Sequence, residues 1–302
     1  MYDIIIIGGG AAGMTAALYA LRGGRSVLVI EKESFGGQIS NSPRVENFPS
    51  IKEISGSEFS DKLFEQITDL GAEIELDSVK NVEKVGNTFK VTTEYNEFEG
   101  KSVILALGVK HKHTGIKKEE ELIGKGVYYC ALCDGPFYKG EEVCLIGDAN
   151  SALQYAIALS AYCKKVKVYT LFNRYFADDV LVKRLQSKDN IEVTMGVTLI
   201  DMIGEDHLEK LVFKETYGEK TFTVDTKALF VAIGQIPDNQ AFKNIVDLDE
   251  KGYIIADEST LTKTPGVFVA GDCRTKAIRQ LTTATADGAV SATKASNYID
   301  SL

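Results

Sequence analysis

Tyr2-Asp3-Ile4-Ile5-Ile6-Ile7-Gly8-Gly9-Gly10-Ala11-Ala12-Gly13 decides the fold, and Ser26-Val27-Leu28-Val29-Ile30-Glu31 completes its meaning. A short apolar run followed at once by glycines reads as a buried parallel strand over Tyr2 to Ile7. Met14 to Leu21 continues as a helix, and a second apolar strand ends at Glu31. In such a unit Gly8 permits the tight turn, Gly10 lets a pyrophosphate approach the backbone, and Gly13 lets helix pack on strand. Together with Ala11 and Ala12, these glycines are the candidate dinucleotide contacts. Glu31 stands where a carboxylate accepts hydrogen bonds from a ribose hydroxyl. A bare glycine turn would be weak evidence; strand, glycines, helix, strand and terminal acid in order are strong.

The same grammar recurs once. Glu142 to Ile146 reads as a strand, Gly147-Asp148-Ala149-Asn150-Ser151-Ala152 as a turn, Leu153 to Tyr162 as a helix and Val166 to Tyr169 as the next strand. The fold class is therefore α/β, with two Rossmann-like dinucleotide-binding domains, and 302 residues suit two domains. A net charge of −9 argues against nucleic acid or an anionic membrane as partner. No run approaches the roughly 20 apolar residues of a membrane span. Met1 leads straight into the first strand, so no signal peptide is visible. The five cysteines are too few and too scattered for a secreted disulfide scaffold. The expected setting is the cytoplasm.

Cys130-Ala131-Leu132-Cys133-Asp134 carries the chemistry. Two thiols one helical turn apart exchange two electrons as a disulfide. A zinc knuckle needs four ligands, and the remaining cysteines form no second pair, so no metal is expected. Two unrelated buried thiols are the other alternative. Against it, Tyr128-Tyr129 before and Asp134-Gly135-Pro136 after read as a strand end turning into a helix. A helix N-terminus stabilises thiolate and lowers the thiol pKa from its usual value of about 8.5. Cys144 and Cys163 read as small core residues in a strand and a helix. Cys273 reads as packing, with a redox role as the alternative. His111, His113 and His207 sit in no motif, and solvated surface is the expectation for each.

At the far end, Thr264-Pro265-Gly266-Val267-Phe268-Val269-Ala270-Gly271-Asp272 reads as an apolar strand ending in Gly-Asp, followed by Arg279-Gln280 and an Ala/Thr/Gly-rich helix. This resembles the second FAD signature of two-dinucleotide-domain flavoproteins. Phe35-Gly36-Gly37-Gln38 and Glu46-Asn47-Phe48-Pro49 resemble two flavin-side loops of the low-molecular-weight thioredoxin reductases, and the likeness covers essentially the whole chain. It implies a discontinuous FAD domain over 1–113 and 241–302, with a dithiol domain of NADPH type inserted over 114–240. Val103 to Gly108 and Leu229 to Gly234 then resemble the crossings, with Lys110 to Gly115 and Gln235 to Asn239 as linkers. FAD contacts are implied at Gly8, Gly10, Ala11, Ala12, Gly13, Glu31, Gly37, Gln38, Asn47, Gly271, Asp272, Arg279 and Gln280. Cys133 is implied as the sulfur facing the flavin, Cys130 as the sulfur that attacks thioredoxin, and Asp134 as the acid/base. The resemblance also implies a homodimer.

The second nucleotide turn departs from the family. Where the family has GxGxxA, the middle glycine is Ala149, and Asp148 sets a negative charge beside the phosphate position. The family's His-Arg-Arg triplet is replaced by Thr170-Leu171-Phe172 and its further Arg by Phe176. Losing two charge-assisted bonds of about 1.5–3 kcal/mol each costs on the order of 10² to 10⁴ in affinity. Thr170 also leaves no acid for the ribose of NADH. The chain therefore resembles the ferredoxin-dependent flavin thioredoxin reductases, the branch that keeps the dithiol and lacks the NADPH motifs. A ferredoxin near about −400 mV reduces a thioredoxin near about −270 mV with roughly 6 kcal/mol to spare. Docking an acidic ferredoxin needs a local basic patch, for which Lys164, Lys165 and Lys167, or Lys183 and Arg184, are candidates. Two other functions stay open: an NADPH enzyme with an atypical clamp, and a non-catalytic flavin-binding sensor.

Overall fold

The computed structural model describes residues 1–42 and 45–302. In chain order, β1 (Tyr2–Ile7), α1 (Ala11–Arg22), β2 (Val27–Glu31), α2 (Gly56–Asp69), β3 (Glu73–Leu76), β4 (Val79–Val85), β5 (Thr88–Thr93) and β6 (Glu97–Leu105) lead to the crossing strand β7 (Lys110–His111). Then come α3 (Glu119–Leu122), β8 (Val127–Tyr128), α4 (Ala131–Asp134), β9 (Glu142–Ile146), α5 (Asn150–Leu159), β10 (Lys165–Thr170) and α6 (Asp179–Gln186). Strands β11 (Ile191–Met195), β12 (Val197–Ile203), β13 (Lys210–Glu215), β14 (Thr221–Asp225) and β15 (Leu229–Val231) precede the second crossing strand, β16 (Gln235–Ile236). The chain closes with β17 (Val267–Val269) and α7 (Leu281–Asp300). Two compact units result: Met1–Lys110 with Ile236–Leu302, and His111–Gln235.

In the first unit the sheet order is β3-β2-β1-β6-β5-β4, with β17 also pairing β6. β1 runs parallel to β2 and β6, so Ile4 faces Val27 on one side and Ser102 on the other. The pleat sends Ile4 and Ile6 to one face, against Met14, Ala16 and the small residues of α7, and Ile5 and Ile7 to the other, with Phe89 and Val91. α7 lies very close to α1: a Cβ at Gly288 would come within 2.3 Å of the Ala12 carbonyl oxygen. Only Val267–Val269 form a strand where the sequence suggests one from Thr264 to Asp272; Gly271–Cys273 turns as a 3-10 helix. That turn is required because Gly271, at φ +80°, packs against Ala12.

The second unit holds an all-parallel sheet, β11-β10-β9-β15-β8, and an antiparallel sheet, β12-β13-β14. Val143 and Leu145 of β9 pack on Ala152, Leu153 and Ala156 of α5, while Cys144 and Ile146 face Leu211 and Phe213 of the antiparallel sheet. Tyr169 stacks on Phe213 with ring centroids 4.1 Å apart. Burial of both faces of β9 is what its unbroken apolar run anticipates.

Candidate functional site

The first glycine turn is built to receive a dinucleotide. Gly8 has φ +109°, and a Cβ there would lie 2.2 Å from the Ala106 carbonyl oxygen; a Cβ at Gly13 would lie 1.9 Å from that of Gly8. At Gly10 a Cβ would meet nothing closer than the Gly36 carbonyl at 3.9 Å, so the ligand side of the backbone is clear. Ala11 and Ala12 begin α1 and are buried. Glu31 accepts hydrogen bonds from the backbone of Gly9 at 2.7 Å and Glu33 at 2.9 Å, which orient its carboxylate beside the turn. Gly36 donates its N–H to the Gly9 carbonyl, bringing Gly37 and Gln38 alongside; the Gln38 amide donates to the Val109 carbonyl.

The C-terminal segment joins the same turn. Gly271 touches Ala12, and its N–H donates to Asp287 at 3.0 Å. Asp287 is held by Arg274 at 2.9 Å and Lys276 at 3.0 Å, all three side chains being buried. Burial pushes the Asp287 carboxyl up, but the hydrogen bonds from Arg274 and Lys276 outweigh it and hold the group below the usual range. Asp272, next in the chain, has a buried Oδ1 with no protein hydrogen-bond partner. Arg279 donates to the Asp272 carbonyl and lies over the Tyr253 ring, and Gln280 caps α7 while accepting from Asn47 at 3.2 Å. An acceptor left unsatisfied in a buried position is costly unless a ligand donor meets it. The residues present fit FAD: a cleared phosphate turn, an oriented carboxylate for a ribose and an orphaned acceptor for a further hydroxyl.

In the second unit Cys130 and Cys133 form a disulfide, with Cα atoms 5.3 Å apart. Strand β8 ends one residue before Tyr129, and Cys130 caps the single turn α4, its Sγ accepting from the Cys133 N–H at 3.1 Å. Asp134 ends that turn in a buried position with Oδ1 unpartnered. Desolvation raises its pKa to about 7. A carboxyl titrating there exchanges protons at neutral pH.

The second glycine turn is hydrogen-bonded to a loop of its own chain. Gly147 keeps a positive φ and packs under Ala232, but Ala149 pairs with Phe176 as a parallel bridge. The Phe176 N–H donates to the Asp148 carbonyl at 2.7 Å. The Asn150 and Asp178 side chains and backbone tie α5 to the same loop at 3.1 and 2.8 Å. Thr170 is fully buried and spends its hydroxyl on the Phe172 carbonyl at 2.7 Å. Arg174, the one arginine of the loop, lies 4.4 Å over the Phe176 ring.

Several sequence expectations need correction. Cys163 lies in the turn after α5, not within the helix, although it is buried as expected. His111 is no solvated residue: it stacks on Tyr129 at 4.8 Å, and desolvation followed by the charge of His113 lowers its pKa to about 4. His113 approaches the Tyr129 hydroxyl at 3.1 Å. Lys164 and Lys167 pair with Glu142, and Lys165 with Glu192, so that cluster offers no free basic patch. Among the described residues Lys183 and Arg184 form no ion pair, and Arg184 with Lys188 lines a cleft of about 320 Å³ between α5 and α6. Burial raises the thiol pKa of Cys144 and of Cys163 to about 11 and that of Cys273 to about 12, which makes all three unreactive.

A flavin-type turn assembled from both chain ends, with a disulfide in a second αβ unit, defines a disulfide oxidoreductase. The family model described as pyridine nucleotide-disulphide oxidoreductase matches residues 2–288. The chain is 37% identical over 300 residues to the 34.2 kDa protein in rubredoxin operon of Clostridium pasteurianum, covering 98% of this chain and 97% of that one. It is 37% identical over 306 residues to thioredoxin reductase of Listeria monocytogenes, covering 100% and 95%. The crystal structure of thioredoxin reductase from Streptococcus pyogenes superposes with a TM-score of 0.96 at 34% identity, covering 100% and 99%. The chain belongs to the low-molecular-weight thioredoxin reductase family, whose members bind FAD. Among the described residues no helix is long and apolar enough to cross a membrane.

Proposed function

We propose that this enzyme reduces thioredoxin through Cys130 and Cys133 and draws its electrons from a ferredoxin-type carrier instead of NADPH. The observation that supports the donor reading is that Phe176, where the family places an arginine, is tied to the second glycine turn by the 2.7 Å bond from its N–H to the Asp148 carbonyl. FAD, when bound, stores the two electrons that reach the thiol pair. Gly8, Gly10, Gly13, Glu31, Gly37, Gln38 and Asp272 would hold it, in a flavin domain over 1–113 and 241–302. With the pair reduced, the Cys130 thiolate attacks one sulfur of the thioredoxin disulfide, forming a mixed disulfide and releasing a thiolate. Asp134 protonates that leaving sulfur, and Cys133 then displaces the second sulfur, restoring the Cys130–Cys133 bond.

An acidic carrier fits Lys183 and Arg184 on α6, with Lys188 just after it, better than Lys164, Lys165 and Lys167, which are paired with Glu142 and Glu192. The competing reading is NADPH dependence, favoured by the uncapped N-terminus of α5 and by the pyridine nucleotide of the family model's description. Parallel anaerobic stopped-flow with NADPH, NADH and reduced ferredoxin decides between them. Flavin bleaching by ferredoxin alone is expected; rapid bleaching by NADPH overturns the donor reading. Cys130→Ser is expected to abolish thioredoxin reduction while the protein stays yellow, and unchanged turnover would overturn the thiol reading. The homodimer stays an expectation of the family likeness, checked by sedimentation.

A further inference from the structure

Three side chains, His111, His113 and Glu119, meet around Tyr129, the residue that precedes Cys130. The Tyr129 hydroxyl donates to Glu119 Oε1 at 2.7 Å and lies 3.1 Å from His113 Nδ1, while its ring stacks on His111 at 4.8 Å. Glu119 is 1% exposed, and its other oxygen accepts from the Thr114 N–H and hydroxyl at 2.7 Å each and from the Gly115 N–H at 3.2 Å. A phenol has one proton, and a carboxylate facing it can only accept. The His113 nitrogen must therefore be the donor to the Tyr129 oxygen, which puts the proton on Nδ1. The chain of bonds runs one way, from His113 through Tyr129 into Glu119.

This anchor stands where the dithiol needs one. A helix of four residues cannot hold its own first turn, because nucleation is unfavourable. From the far side, the Tyr162 hydroxyl reaches the Ala131 carbonyl at 3.3 Å and fills the space a side chain at Gly135 would take. On the near side Tyr129 is the single residue that joins β8 to Cys130. We propose that Tyr129, gripped by His111, His113 and Glu119, is a positioning residue that fixes the Cys130 cap so that its sulfur faces the Cys133 N–H. The groups around Tyr129 are His111 at the end of β7, His113 just after it, and Glu119 and Glu120 from α3.

The proposal rests on the thiol chemistry above, but its test needs no electron donor. Holoenzyme is reduced with excess dithiothreitol, which is then removed, and iodoacetamide labelling of Cys130 is followed by mass spectrometry across pH. Tyr129→Phe keeps the ring and removes the hydroxyl. The midpoint of its labelling profile is expected to rise by about one pH unit, and thioredoxin kcat to fall about tenfold with KM within about twofold. His113→Ala is expected to give a smaller change in the same direction in wild type, and no further change in a Tyr129→Phe background, because both act through one oxygen. Unchanged profiles in Tyr129→Phe, or losses that add across the two substitutions, would overturn the proposal. If wild-type Cys130 itself does not label, the thiol reading fails instead.

Discussion

The turns Gly8–Gly13 and Gly147–Ala152 begin from the same strand–turn–helix design and end in opposite states. In the first, glycines clear the backbone, a terminal carboxylate is oriented by two N–H donors, and Gly271, bonded to a buried ion triad, packs against Ala12 at the helix start. In the second, the glycine that bends the chain is kept, but Ala149 pairs with Phe176 and Thr170 turns inward. Packing constraints are shared by both turns, since helix must meet strand in either case. Ligand constraints are not. The second turn keeps the fold of a nucleotide site and differs from the first in the groups that line it.

Gly13→Val attacks the first turn where tolerance is least, since even a Cβ would sit 1.9 Å from the Gly8 carbonyl. The expected result is colourless or insoluble protein, read by the flavin absorbance of whatever purifies. Asp287→Asn leaves Arg274 and Lys276 buried without a counter-charge and is expected to cost about 4 kcal/mol in urea unfolding at pH 7. The gap should narrow in acid, below the lowered pKa of Asp287, where the wild-type carboxyl is protonated as well.

Asp134 makes the opposite prediction. Its folded pKa of about 7 lies above the ordinary carboxyl value, so the folded state holds an extra proton between about pH 4 and 7. Stability is present in acid and lost as pH rises through that window. Asp134→Asn is therefore expected to stabilise the oxidised enzyme by about 4 kcal/mol at pH 8 and hardly at all at pH 4. Turnover should fall in the same variant. Equal stability of both proteins at pH 8 would show that the carboxyl is not desolvated. The smallest effect belongs to the second turn. Ala149→Gly with Phe176→Arg is expected to improve NADPH binding by about ten- to a hundredfold, one regained arginine bond, without change in flavin content.

Legibility in the sequence followed the same division. Both strand–turn–helix units could be read because parallel strands buried on both faces are written as unbroken apolar runs, and because glycines at fixed spacing have few other uses. The Cys130–Cys133 pair was readable from spacing and the flanking strand end. The Asp272 acceptor and the FAD loops came from likeness to a family, since nothing local marks them. The Tyr129 cluster was invisible: His111, His113, Glu119 and Tyr129 have no common period and meet only because α3 folds back beneath the crossing segment. The pairing of Lys164 and Lys167 with Glu142 was likewise hidden, because parallel register between β9 and β10 brings them together across the sheet.

Equilibrium dialysis of the holoenzyme against NADPH tests the contrast between the two turns most directly. The expected result is about one FAD retained per chain and no saturable NADPH binding up to millimolar concentration. A second dinucleotide bound per chain with micromolar affinity would contradict it.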